Sequence, residues 1–394
     1  MKNKTALFAM LAALLGGVIS CSQPPKATSP LTAAIDSLKT RYAPDSRMAV
    51  FDVTCVQQGS IAIVRGEVDN PKAKEDVLNL VHNSLGGQTI DSLKVLPDQQ
   101  LGEKRYGIVS VSVGNVRTAP KHQAAMGTQA MMGMVVRLLK KHGGWYYIQL
   151  PDSYLGWLEE SAMKVTSDGG VESWKAATKV IVTSYFTFVR EHPASSSVPV
   201  SDAVAGVLLK VVGPAAQWIA VELPDGRKGF IEKSCADEYA HWKNSRRLTP
   251  ENIELSAKSM MGIPYLWGGT SPKGMDCSGF TKTVFRLNGL ELSRDADQQA
   301  SGGEVVEPGK DFGNLKKGDL LFFGRKAAAD KPENISHVGI YLGKKEFIHT
   351  PGGAGVKLNS FDASAPNYND YELKRFVRAR RYIGTKQVAE VSGK

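Results

Sequence analysis

The sequence predicts a multidomain α+β protein: several small domains in line, closed by a larger α+β domain. Three observations carry that expectation. The chain has 394 residues, more than one hydrophobic core usually organises. Its periodicity changes along the way, from mixed helix and strand, to short strands and turns, and back to mixed. A segment of the strand-rich middle occurs twice. Hydrophobic residues make up 42%, ordinary for a globular chain, and the formal charge of +10 is moderate and compatible with anionic surfaces. No Lys/Arg run interleaved with aromatics points to nucleic acid, which is not an expected partner.

The first residues concern the compartment. Met1 to Lys4 is basic, and Ala6 to Ile19 is apolar but short for a bilayer span. Val18-Ile19-Ser20-Cys21 then leads small residues into a cysteine. This resembles the lipobox of bacterial lipoproteins. It implies a leader over 1–20, cleavage before Cys21, lipidation of that thiol, and a membrane-anchored place in the bacterial cell envelope. A plain secretory leader with an incidental Cys21 is the alternative. The Pro-rich polar run that follows suits a tether over 21–30.

Residues 31–100 predict helix, strand, strand, helix, strand. Leu31, Ile35 and Leu38 share a helical face up to Tyr42. Met48–Val56 and Ile61–Val68 are strand-like, and Asn70-Pro71 starts a helix carrying Val77, Leu78, Leu80 and Val81. Thr89–Leu96 alternates as a strand. The order, with Ile63-Val64-Arg65-Gly66-Glu67-Val68, is similar to the BON-type module. It carries no catalytic constellation and is expected to act as a spacer or interaction module.

Two strand-rich units follow, over 106–165 and 175–240. The repeated segment runs from Trp145 to Ala162 and aligns without gaps on Trp218 to Cys235. Shared are the Trp, a Leu-Pro-Asp turn, a Gly before an aromatic, and a Glu-x-Ser end. Each unit is long enough for a small five-stranded barrel, with Trp145 and Trp218 expected in the cores. Asn115-Val116-Arg117-Thr118-Ala119-Pro120 is close to the Asn-x-Arg-x-x-Pro phrase of bacterial SH3-type barrels, which these units resemble. Tyr154 aligns with Arg227, so the barrel itself does not demand an aromatic there. Tyr154 is therefore a candidate for a role outside its own barrel.

Residues 249–384 hold the chemistry. Thr249-Pro250 starts a helix with Ile253, Leu255 and Met260 as apolar positions. The Gly/Pro-rich loop Gly262-Ile263-Pro264-Tyr265-Leu266-Trp267-Gly268-Gly269 then runs into Asp276-Cys277-Ser278-Gly279-Phe280. Phe280, Val284, Phe285 and Leu287 recur at helical spacing, placing Cys277 at a helix start. Unpaired N–H groups there are expected to lower the thiol's pKa. A nucleophilic thiol needs a base. Ser336-His337-Val338-Gly339-Ile340-Tyr341 and Phe347-Ile348-His349 suggest two short strands joined by a tight turn, with both imidazoles nearly opposite each other on one face. One ring would take the proton and the other would orient it.

This pattern resembles the NlpC-type cysteine peptidases of bacterial cell walls, a papain-like family. The likeness also takes in Arg294-Asp295-Ala296 and Lys317-Gly318-Asp319-Leu320. It implies amide hydrolysis through a thioester on Cys277, with His337 as base, His349 as orienter, and the Cys277 N–H and the Tyr265 phenol supporting the oxyanion. Trp267 would shape the pocket wall, and Tyr154 is the candidate for the first-barrel tyrosine that reaches the active site in related peptidases. The implied substrate is a peptidoglycan stem peptide, cut between γ-D-glutamate and a diamino acid. Asp276 and Ser278 match positions that hold polar groups of the substrate, and Asp295 one that receives a free N-terminal amine of L-Ala. The chain departs from the pattern at His122-Gln123-Ala124-Ala125, where an acid is usual, and at Ala296, where a serine is common. The demand for a free L-Ala terminus is thereby weakened. A catalytically idle wall-binding scaffold, or an amidase or acyltransferase using the same Cys-His chemistry, are the other readings.

Four cysteines are present, and no Cys/His set has zinc spacing. With Cys21 lipidated and Cys277 catalytic, Cys55 and Cys235 are expected to be buried free thiols, a disulfide being the alternative. Neither metal nor cofactor is expected, and the oligomeric state is not legible.

Overall fold

The computed structural model describes residues 29–385, so the expected leader, Cys21 and almost all of the tether lie outside the described residues. Among the described residues no helix is long and apolar enough to cross a membrane.

The N-terminal module has the expected order: α1 (Pro30–Tyr42), β1 (Phe51–Gln58), β2 (Ile61–Val68), α2 (Pro71–Leu85) and β3 (Gln88–Val95). β2 pairs antiparallel with β1 and parallel with β3, and α2 makes the crossover that a parallel pair needs. Asn70 caps α2 by accepting from the Lys72 N–H, with Pro71 in the first turn. Ile35, Phe51, Val64, Val77 and Leu93 meet in the core. Cys55 is half-buried, not buried as expected.

The first strand-rich unit comprises β4 (Tyr106–Val109), β5 (Val113–Arg117), β6 (Met126–Met131), β7 (Val135–His142), β8 (Trp145–Gln149), β9 (Leu155–Glu159) and β10 (Met163–Thr166). Helix α3 (Asp168–Ala176) leads to the second: β11 (Lys179–Val182), β12 (Phe186–Arg190), β13 (Pro199–Val204), β14 (Leu208–Ala215), β15 (Trp218–Glu222), β16 (Lys228–Glu232) and β17 (Ala236–Glu238). Each forms a seven-stranded sheet, larger than the five strands expected, because short flanking segments also pair. The order β10-β4-β7-β8-β9-β5-β6 in the first is matched in the second by β17-β11-β14-β15-β16-β12-β13. The repeated hairpins share one register: Trp145 faces Glu159 and Trp218 faces Glu232. Both tryptophans are half-buried at the hairpin start and not in the cores, which Val116, Leu138 and Ile148, and Val189, Leu209 and Val221, fill instead. Cys235 is half-buried and, like Cys55 and Cys277, free.

Helix α4 (Tyr239–Ser245) leads to the C-terminal domain. Its helices are α5 (Pro250–Ser259), α6 (Cys277–Leu287), α7 (Ala296–Ser301) and α8 (Asp370–Arg375). A small hairpin, β18 (Thr270–Ser271) and β19 (Gly274–Met275), precedes α6. The main sheet holds β20 (Glu304–Val306), β21 (Leu320–Arg325), β22 (Asn334–Gly343), β23 (Glu346–His349), β24 (Lys357–Ser360) and β25 (Phe376–Arg381), in the order β20-β25-β21-β22-β23-β24. Thr249 caps α5 as expected, but Leu255 is 70% exposed. Ile253 and Ala257, one turn apart, make the buried stripe instead. Helix α6 lies on the sheet, where Phe280, Val284 and Phe285 pack with Val338, Ile340 and Ile348. Each fully buried side chain of this size contributes about 1.5–3 kcal/mol, so the helix bearing Cys277 is firmly seated.

Candidate active site

A cavity of about 950 Å³ opens where the C-terminal domain meets the first strand-rich unit and the N-terminal module. Of the residues singled out in the sequence, Cys277, His337, Tyr265, Asp276, Ser278, Asp295, Trp267 and Tyr154 all line it. His349 lies behind His337, fully buried.

Cys277 opens α6 because Asp276 caps that helix, accepting from the Gly279 N–H at 2.7 Å. Gly279 has no alternative, since a Cβ there would lie 1.9 Å from the Gly269 carbonyl oxygen. The loop before the helix is tied to the same cap, for Gly268 donates its N–H to the other Asp276 oxygen at 2.9 Å. Gly268 also has φ +78°, in the left-handed region that favours glycine. Arg294, only 1% exposed, donates to Asp276 at 2.6 and 3.2 Å and to the Ser278 hydroxyl at 2.9 Å. Asp276 and Ser278 thus spend their polar atoms on building the nucleophile's turn. As the first helical residue, Cys277 has no intrahelical acceptor for its own N–H.

The thiol does not behave as the helix start suggested. Burial pushes it up to about 12, and the Asp276 carboxylate adds to this. The N–H groups of Val338 and Ser278 and the Arg294 guanidinium pull the other way and lose. Desolvation of a small anion outweighs the partial charge of one helix end. The resting sulfur is therefore a thiol.

The His337 ring is neutral as well. Burial carries His337 well below its ordinary value, with help from His349 and Arg375. Burial also lowers His349, to about 4, against its hydrogen bond to Asn359. The hydrogen bonds between these groups fix the tautomers in sequence. Asn359 Nδ2 donates to the Asn367 carbonyl at 2.9 Å, which leaves Asn359 Oδ1 as an acceptor facing His349 Nε2 at 2.8 Å. His349 must carry its proton there, so its Nδ1 accepts from His337 Nε2 at 2.7 Å. The lone pair of His337 is then on Nδ1, the atom a base needs. The sequence showed both histidines but not Asn359, an ordinary polar residue in the short strand β24.

The expectation that His337 and His349 stand nearly opposite is corrected by a bulge. Across the Lys344-Lys345 turn, both residues at positive φ, a regular ladder would pair His349 with Ile340. Residue 337 would then point to the other face. The register shift between Tyr341 and Gly343 pairs His349 with Gly339 instead, two residues from His337, and brings both rings to one face.

Around this core, Tyr265 stays protonated as a donor, raised to about 12 by burial and by Cys277 and Asp276. Trp267 is 69% exposed at the cavity mouth. Tyr154 is anchored in the core of the first unit, and its hydroxyl donates to Asp295 Oδ2 at 3.2 Å. Asp295 precedes α7, where Gln298 reaches back to accept from its N–H at 3.0 Å, so it serves as helix cap and cavity wall together. Burial raises its carboxyl, against Arg294, Arg47 and the Tyr154 hydroxyl. Glu372, buried and ion-paired to Arg375 at 3.0 Å, has Oε1 3.9 Å from His337 Nε2. His337, His349 and Glu372 bring ligand atoms within 4.8 Å of one another, close enough to hold a metal ion, although the two rings already bond to each other.

A profile of the NlpC/P60 family matches residues 262–381, and one of the bacterial dipeptidyl-peptidase Sh3 domain matches 116–163. The chain is similar to a gamma-D-glutamyl-L-lysine dipeptidyl-peptidase of Bacillus cereus, 26% identical over 264 residues, 65% of this chain and 75% of that protein. A probable endopeptidase NlpC homolog of Haemophilus influenzae is 34% identical over 160 residues, 40% of this chain and 74% of that protein. In fold the chain resembles the crystal structure of an NlpC/P60 family protein from Bacillus cereus, with a TM-score of 0.59 and 24% identity over 70% of this chain and 99% of that one.

Proposed function

The chain belongs to the NlpC/P60 family of cysteine peptidases, and we propose that it hydrolyses the bond between γ-D-glutamate and a diamino acid in peptidoglycan stem peptides. The observation that carries this is the proton chain from Asn359 through His349 and His337, which leaves a free lone pair on the ring that lines the cavity with Cys277.

As the sulfur attacks the γ-carbonyl carbon, its proton passes to His337 Nδ1 and a C–S bond forms. The Cys277 N–H and the Tyr265 hydroxyl support the tetrahedral oxyanion. Collapse breaks the C–N bond, and His337 returns the proton to the departing amine. His337 then deprotonates a water that attacks the thioester, which frees the glutamyl carboxylate and restores the thiol. The imidazolium formed midway is buried, and Glu372 at 3.9 Å offsets its charge.

In this reading Asp276 and Ser278 shape the wall beside the scissile bond, Trp267 borders its mouth, and Asp295 with Tyr154 meets the stem's L-Ala end. The match over 116–163 supports an SH3-type barrel for the first strand-rich unit. The shared strand order and register support the same for the second. The N-terminal module is BON-like by its element order. The lipobox at Cys21 supports anchoring to an envelope membrane, which would hold the cavity near the wall.

Digesting L-Ala-γ-D-Glu-diaminopimelate with the purified protein tests the reading. Mass spectrometry is expected to find L-Ala-γ-D-Glu and free diaminopimelate, and Cys277→Ala to yield neither. Wild type and Cys277→Ala that are equally inert, yet both retain wall fragments, would establish the scaffold reading instead.

A further inference from the structure

One side chain of the cavity wall comes from outside both the catalytic domain and the strand-rich units. Arg47 stands on the loop between α1 and β1 of the N-terminal module and lines the cavity. Its Nη1 donates to Asp295 Oδ2 at 2.9 Å and to Asp297 at 3.0 Å. Nη2 donates to Asp297 and Asp45, each at 2.8 Å, and Nε donates to Asp45 at 2.9 Å. The loop is docked, not draped: Leu155 donates its N–H to the Arg47 carbonyl at 2.8 Å, and Gln298 donates its side-chain amide to Asp45 at 2.6 Å.

Asp295 is therefore supplied from two sides. The Tyr154 hydroxyl and the Arg47 guanidinium both donate to its Oδ2, and Arg294 lies 3.9 Å from its Oδ1. A partly buried carboxylate that faces a substrate cavity with no cation of its own keeps its charge cheaply only when a ligand brings one. Such a site selects an ammonium. With a guanidinium already in place that requirement lapses, and an arriving ammonium must share oxygens that are already bonded.

We propose that Arg47 is a specificity-determining residue that supplies Asp295 with its cation from within the chain, so that the cavity accepts stem peptides whose N-terminal nitrogen is acylated and uncharged as well as those with a free ammonium. The proposal rests on the reaction assigned to Cys277 and on the stem's L-Ala end lying toward Asp295. Arg47 touches Asp295 and not the reacting bond, so its effect is a change in preference between substrates and not a loss of chemistry.

The test uses the full chain and two probes, L-Ala-γ-D-Glu-diaminopimelate and its N-acetyl form, with wild type, Arg47→Met and Arg47→Lys. Wild type is expected to cleave both with kcat/KM values within about tenfold of each other, and Arg47→Met to shift the ratio toward the free amine by about tenfold or more, the scale of one lost charge contact. Arg47→Lys, which keeps the cation, restores most of the wild-type ratio. Asp45→Asn, which loosens the guanidinium without removing it, moves the ratio the same way by a smaller factor and stands in if Arg47→Met does not fold. A ratio unmoved by both variants, or a wild type that cleaves only the free-amine probe, overturns the role of Arg47 and leaves the Cys277 reaction standing. A wild type inert on both probes overturns that reaction, and this proposal with it.

Discussion

The two ends of the cavity handle burial in opposite ways. At the His337 end, burial keeps sulfur and both rings uncharged, and hydrogen bonds order the two rings and Asn359 into a chain that ends on the Asn367 carbonyl. At the Asp295 end, charges persist because each carboxylate has a guanidinium: Arg294 on Asp276, and Arg47 on Asp45, Asp295 and Asp297. The neutral end can move a proton without reorganising solvent. The ionic end is suited to holding a polar substrate still while that happens. In the proposed reaction one cavity thus separates chemistry from recognition by deciding where charge is allowed.

The sharpest way to break this comparison is at the neutral end. His337→Ala is expected to lower kcat by about 10³-fold or more, because nucleophile and base act as a unit, with KM little changed. A variant that raised KM and spared kcat would place recognition at the wrong end. Asn359→Ala comes next. It leaves the buried His349 Nε2–H without its acceptor and frees the tautomers, and kcat should fall about ten- to a hundredfold. Nitrogen NMR of the two imidazoles should show mixed tautomers, and an unchanged spectrum would mean that something else orients His337.

Tyr154→Phe removes one donor from Asp295 and should raise KM a few fold while kcat holds. Arg227, the same position in the second strand-rich unit, binds Asp225 and the Ser110 carbonyl and lies outside the cavity. Arg227→Ala should leave both constants alone, which makes it the control for divergence between the two hairpins. The smallest effect is on stability. His349 titrates near 4 when folded and near 6.5 when unfolded, so the unfolded chain binds the extra proton first on acidification. Its contribution is complete above about pH 6.5 and lost as pH falls toward 4. Melting curves should drop by a few degrees over that window. His349→Gln should flatten that part of the drop.

Much of this was open to reading from residues alone. A helix start at Cys277 was legible because Phe280, Val284 and Phe285 follow at helical spacing, whereas the Asp276 cap and the need for Gly279, where a Cβ would meet the Gly269 carbonyl, came from the structure. Asn70-Pro71 and Thr249-Pro250 fixed two more helix starts for equally local reasons. The repeated Leu-Pro-Asp turn announced two like hairpins, and the structure gives them one register. Leu255 shows the limit, since helical spacing cannot tell which stripe will meet the neighbouring layer.

Long-range relations decided the rest. The Tyr341/Gly343 bulge sets on which face His349 stands, and a bulge belongs to a pair of strands rather than to either one. The thiol's protonation depends on how much protein covers it, a sum over residues from every layer of the domain. Arg47 and Asp295 are separated by 248 positions in the chain and meet only because the N-terminal module docks against the first strand-rich unit. Local sequence determined the helix starts, the turns and the candidates for nucleophile and base, because those depend on neighbours in the chain. Tertiary structure decided their charge states, their alignment and their ionic partners, because desolvation and pairing act through space.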